Sequence, residues 1–144
     1  MPRQFSATAT MIDSDHFAVT TTCGGSVALA HPHEDGNPTG AASPMEGLLV
    51  ALAGCLGMSV APFLRRIQPP IARYEVRAYG ALTPRPPRVF EAITVEHIIT
   101  GGALDRRAIT RAIEVAEERY CGASAMLGQV ATIERAFVFI EEDE

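Results

Sequence analysis

The chain has 144 residues, 47% hydrophobic and 20% charged, which suits one globular domain spanning residues 1–144 with a sizeable core. A net charge of −5, with no arginine stripe interleaved with aromatics, argues against nucleic acid as a partner. All twelve basic residues are arginines, so no lysine is available for Schiff-base or phosphate-loop chemistry.

The N-terminal stretch MPRQFSATATMIDSD lacks the apolar core of a secretory signal, so the expected compartment is the cytoplasm. Residues 4–30 then read as a strand meander. Phe5, Ala7, Ala9 and Met11 alternate with polar residues, Asp13 and Ser14 make a turn, and Phe17 and Val19 resume the alternation. Cys23-Gly24-Gly25 breaks the pattern before a short strand from Val27 to Ala30, and residues 31–43 are loop by their Pro, Gly, Asn and Asp content.

The best-specified boundary follows. Ser43, Pro44 and Glu46 fit the N-cap, first and third positions of a capping box. From Gly47 to Leu64 no side chain is charged, so this helix has no polar face. A membrane span is the weaker reading of such a run, because Gly47, Gly54, Gly57 and Pro62 interrupt it and no Trp or Tyr flanks it. A long buried central helix is the expectation, with Pro62 kinking or ending it near Val60 and Ala61. So few strands cannot cover a helix buried on all sides, which points to a second subunit.

Gln68-Pro69-Pro70 stops the helix. Tyr74, Val76 and Ala78 begin a half-exposed strand, TPRPPR is a stiffened turn, and Phe90 to Thr100 forms the antiparallel partner, with Ile93, Val95, His97 and Ile99 on one side. Asp105 caps an amphipathic helix whose apolar face is Ile109, Ala112, Ile113, Ala116 and Tyr120, with Arg106, Arg107, Arg111, Glu114, Glu117 and Glu118 toward water. Ser124 is the expected start of a short further helix ending near Gly128. A strand from Thr132 to Ile140 and an acidic tail, residues 141–144, close the chain. The class is α+β.

Three cysteines, odd in number and widely spaced, are not a secreted disulfide framework and are more naturally buried, reactive or ligating. Thiol chemistry needs a thiolate, which a helix N-terminus or a cation supplies by lowering a reference pKa of about 8.5. Cys121, ahead of the short helix, has that prospect. Cys55, mid-helix in an apolar run, does not, and on these grounds alone reads as a small buried hydrophobe.

The segments SPMEGLLVALAGCLGM and EVAEERYCGASAML, with PRVFEAITVEHIITGGALD between them, resemble the paired motifs of the OsmC/Ohr family of small thiol-dependent proteins, nearer its OsmC-like, YhfA-type branch than the Ohr peroxidases. The resemblance runs from residue 43 onward; the first 42 residues match only as a generic meander. It implies an intertwined α+β homodimer with two long central helices between sheets and sites at the dimer interface. It also implies a peroxidatic Cys55 that attacks an organic hydroperoxide, a resolving Cys121 that closes a Cys55–Cys121 disulfide, and a dithiol reductant that reopens it. The alternative is a non-enzymatic relative that binds a small apolar or thiol-containing ligand at the interface, its cysteines being redox-responsive or packing residues.

Two elements of the peroxidase pattern are missing. Met45 stands where the Ohr-type enzymes have an activating glutamate, and Glu46, one residue later, falls roughly opposite Cys55 on a helix of 3.6 residues per turn. No arginine lies between Arg3 and Arg65, leaving Arg65 or Arg66 of a second subunit as substitutes. His31 and His33 lack a third ligand at recognisable spacing and read as solvated loop, His97 as a core histidine and Cys23 as incidental. No nucleotide loop and no serine nucleophile elbow is present, and no cofactor or metal is expected.

Overall fold

In the computed structural model, which describes residues 2–143, the chain forms two compact units, Met1–Leu48 and Leu49–Glu144. The first holds β1 (Ala7–Met11), β2 (His16–Thr21) and β3 (Ser26–Ala30), an antiparallel meander in the order β1-β2-β3. Asp13 makes the first turn by accepting from the Asp15 backbone N–H at 2.8 Å, with the His16 ring 2.9 Å from the same oxygen. The second turn uses Gly24 at φ +85°, a left-handed conformation that suits glycine. The residue 31–43 loop returns to β3, where the Ala30 N–H donates to the Ala42 carbonyl at 3.0 Å.

The helix start is the expected capping box. The Glu46 N–H donates to Ser43 Oγ at 3.3 Å, and the Ser43 N–H donates to Glu46 Oε1 at 3.0 Å. The Ser43 backbone N–H, and then the Ser43 hydroxyl donating to Glu46 Oε1 at 2.8 Å, hold the Glu46 carboxyl below the usual range. From this cap α1 runs over Pro44–Leu64. Pro62 lies inside it rather than ending it near Val60: the proline falls in the last turn, where one lost backbone hydrogen bond does not stop the chain completing the helix at Leu64.

The second unit contains most of α1, then β4 (Arg73–Leu82), β5 (Phe90–Gly101), α2 (Arg106–Tyr120), α3 (Gly122–Leu127) and β6 (Thr132–Glu141). β4 and β5 pair antiparallel, and β6 lies parallel to β5 after the α2–α3 crossover, since parallel neighbours need a helical connection. The acidic tail thus begins inside a strand, and its last residue, Glu144, lies outside the described residues. The β5 alternation holds: Ile93, Val95, His97 and Ile99 are all buried. Val60, Leu64, Ile99, Ile109, Ile113 and Ala116 form the centre of the core.

Two expectations change at the helices. Within the chain α1 buries one stripe, Leu52, Leu56, Val60 and Leu64, spaced by four; the opposite stripe, Val50, Gly54, Met58 and Pro62, stays exposed, Met58 at 81%. The helix is therefore not buried all round by its own chain. On α2, Tyr120 is exposed while Glu117 is buried, because Glu117 continues the Ile109–Ile113 row one turn further and meets polar partners there.

Candidate functional site

Cys55 lies in the middle of α1, half-buried, and Cys121 at the joint between α2 and α3, buried. The joint is tight because one residue ends one helix and starts the next. In an extended conformation, Cys121 donates its backbone N–H to the Glu117 carbonyl at 3.2 Å, closing α2, and its Sγ accepts from the Ser124 N–H at 3.4 Å, capping α3. Ser124 is thus inside α3 rather than its cap. A thiol fills the role usually taken by a hydroxyl.

The joint brings the two sequence-predicted thiols together. Burial pushes the Cys55 thiol up, but the Ala123 N–H, the Cys121 thiol, the Gly122 N–H and the Ser59 hydroxyl all favour its thiolate, and the net direction is below the ordinary thiol value. Cys121 goes the other way, to about 11. Burial dominates; the Ser124 N–H opposes it, while the neighbouring Cys55 and the Glu117 carboxylate add to the rise.

This reverses the order expected from the sequence, in which the start of the short helix was to help Cys121. The N–H groups at that start favour the Cys55 thiolate instead, an influence between distant segments that spacing along the chain does not reveal. No arginine is among the groups acting on Cys55. Arg65 and Arg66 are exposed just past the end of α1.

Behind Cys121 lies a polar cluster that the sequence did not disclose. Ser124 Oγ donates to Glu117 Oε1 at 3.1 Å. Arg135 Nε, on β6, is 3.2 Å from Glu117 Oε2, within ion-pair range but off the hydrogen-bonding direction, so that oxygen has the charge attraction without a hydrogen bond. The available signal was the Ile109, Ile113, Glu117, Cys121 row at spacing four, which puts the glutamate on the buried edge beside the thiol. His97 is the core histidine expected of it, paired with Tyr74 on β4. Cys23, His31 and His33 are exposed in the first unit.

One thiol mid-helix on α1 and one at the α2–α3 joint, in a chain of two three-stranded sheets and three helices, define an α+β protein with a two-thiol site. Comparison with known proteins makes the class specific. The family model for OsmC-like protein matches residues 35–135, and the chain belongs to that family. It is 32% identical over 104 residues to Protein YhfA of Escherichia coli strain K12, an alignment covering 72% of this chain and 78% of YhfA.

Among solved structures, a hypothetical protein from Aquifex aeolicus VF5 matches with a TM-score of 0.83 at 18% identity, over 99% of this chain and 100% of its own. The organic hydroperoxide resistance protein OsmC from Legionella pneumophila matches with a TM-score of 0.71 at 18% identity, over 94% and 97%. At these identities the structural matches establish the fold.

Proposed function

We propose that this protein is a cytoplasmic, homodimeric thiol peroxidase that reduces organic hydroperoxides through Cys55 and Cys121. The observation that carries the reading is the placement of the two thiols, Cys55 half-buried on α1 and Cys121 buried at the α2–α3 joint with its Sγ capped by the Ser124 N–H; their surroundings bias Cys55 toward thiolate and Cys121 toward thiol. The sulfur that attacks the peroxide must be a thiolate at rest, whereas the resolving sulfur loses its proton only as it attacks the sulfenic acid.

The Cys55 thiolate attacks the terminal peroxide oxygen, the O–O bond breaks, and the alkoxide leaves as an alcohol after taking a proton. Cys55 becomes a sulfenic acid. The Cys121 sulfur then attacks the Cys55 sulfur, its proton and the sulfenic hydroxyl leave together as water, and a Cys55–Cys121 disulfide results. A dithiol reductant restores both thiols by two exchange steps. Membership of the OsmC-like family, together with a structural neighbour named as an organic hydroperoxide resistance protein, supports a redox role of this type. The exposed stripe of α1, centred on Met58, supports the second subunit.

A second reading is favoured by one specific observation: among the described residues of this chain, the groups acting on Cys55 are N–H, thiol and hydroxyl groups and not an arginine. In it the protein binds a small apolar or thiol-containing ligand at the subunit interface without turnover. Mass spectrometry after mild cumene hydroperoxide treatment separates the two. The peroxidase reading requires a species lacking two hydrogens with Cys55 linked to Cys121, and peroxide consumption that disappears in Cys55→Ser. Both thiols intact after treatment, or unchanged consumption in that variant, would leave the ligand-binding reading.

A further inference from the structure

We propose that Glu117 is a positioning residue for the thiol pair: its carboxylate, fixed by Ser124 and Arg135 behind Cys121, adds to burial in keeping the proton on Cys121 and so leaves Cys55 as the thiolate. The inference rests on the reading of Cys55 and Cys121 as a redox pair and assigns what sets their order.

The geometry begins with the helix. Glu117 and Cys121 are one turn apart on α2, joined by the backbone bond from the Cys121 N–H to the Glu117 carbonyl. The glutamate is 8% exposed, an unusual place for a carboxylate unless it is partnered. Its Oε1 accepts from the Ser124 hydroxyl, and the Ser124 backbone N–H donates to Cys121 Sγ, so one residue holds both the carboxylate and the thiol. Its Oε2 has the Arg135 guanidinium alongside but no hydrogen bond, and Arg135 is partly exposed, so the glutamate's charge is only partly offset.

The charged and titratable groups around this point come from every neighbouring element: Cys55 from α1, Tyr74 from β4, His97 from β5, Arg135 from β6, and Glu114 and Glu118 from α2 itself. Glu117 acts on Tyr74, and Arg135 on His97, through their charges. Glu114, Glu117, Glu118, Ser124 and Arg135 line a cleft of about 480 Å³. A negative charge fixed behind Cys121 raises the free energy of a second negative charge there and leaves Cys55, supported by the Gly122 and Ala123 N–H groups, as the favoured site. Arg135 modulates the effect, since removing the guanidinium exposes the full carboxylate charge to the thiol.

The test follows each thiol separately in the reduced protein, without peroxide, by NMR of ¹³Cβ-labelled cysteine across a pH titration, with Cys→Ser variants assigning the signals. In Glu117→Gln the Cys121 thiolate fraction at pH 10 rises at least about threefold, and the gap between the Cys55 and Cys121 titrations narrows. In Glu117→Asp, which keeps the charge, the order returns toward that of the parent. In Arg135→Gln, Cys121 moves the opposite way and holds its proton to higher pH.

A titration of Glu117→Gln that superimposes on the parent, or glutamine variants that both move Cys121 in the same direction, would overturn the proposal. Should Glu117→Gln fail to fold, Arg135→Gln decides alone, and an unmoved Cys121 overturns it. Failure of the peroxidase reading is seen elsewhere, as both thiols surviving hydroperoxide in the parent protein.

Discussion

The Tyr74 hydroxyl and the Nδ1 of His97 share a hydrogen bond at 2.7 Å across neighbouring strands, and whichever tautomer the ring adopts, its Nε2 is buried without a partner among the described residues. Burial, then the Arg135 guanidinium, push His97 down to about 4. A histidine whose native value lies below its unfolded value of about 6.5 binds its proton more readily in the unfolded chain. Stability associated with His97 is therefore complete above about pH 6.5, falls as pH drops, and is fully lost below about pH 4, by roughly 3 kcal/mol. Thermal unfolding followed from pH 7 to pH 4 should fall more steeply in the parent than in His97→Gln; equal slopes would show that His97 is not the titrating group.

At the start of α1, the bonds between Ser43 and Glu46 predict a stability effect separate from any catalytic one. Ser43→Ala and Glu46→Ala should each cost about 1 kcal/mol. Both should leave the rate of peroxide consumption within about twofold of the parent, because Glu46 is committed to the cap. A large loss of rate in Glu46→Ala at full folding would instead assign that carboxylate to Cys55.

Much of this fold is legible in the sequence because its signals are local. The capping box, the Asp13 and Gly24 turns, the alternation of β5 and the Asp105 cap each depend on residues a few positions apart, and the structure follows them. Pro62 falls inside α1 near its end and Ser124 inside α3 near its start, since helix ends depend on small balances between one lost bond and one gained contact.

The site is different. That Cys55 and Cys121 belong together came from family resemblance, and their relative acidity came out reversed. Which N–H groups reach which sulfur depends on how α1 lies against the α2–α3 joint, a tertiary fact. Glu117 was assigned to water because charge usually sits there, and only the contact with Ser124 and Arg135 explains its burial.

The two faces of α1 predict opposite responses to substitution. Leu56 is fully buried, so Leu56→Ala should cost about 2–5 kcal/mol by leaving a cavity. Met58, two residues away and 81% exposed, should tolerate alanine within about 0.5 kcal/mol when the chain is monomeric. If the exposed stripe meets a second copy, Met58→Asp places a charge in an apolar contact and should convert dimer to monomer, read by light scattering coupled to size exclusion. A parent protein that is already monomeric would end the dimer proposal.

Removing the Cys121 side chain separates attack from resolution. If the peroxidase cycle operates, Cys55 in Cys121→Ala loses one group that favours its thiolate but keeps the influence of the Ala123 and Gly122 N–H groups and Ser59, so it should still react with hydroperoxide, more slowly by about threefold to tenfold at neutral pH. The sulfenic acid then lacks the Cys121 thiol to condense with. Dimedone should therefore label Cys55 in the variant and not in the parent, and excess peroxide should carry the variant on to the irreversible sulfinic acid while the parent stops at the disulfide. Equal labelling of both proteins would mean that Cys121 does not resolve Cys55, and would leave its effect on Cys55 as a hydrogen bond alone.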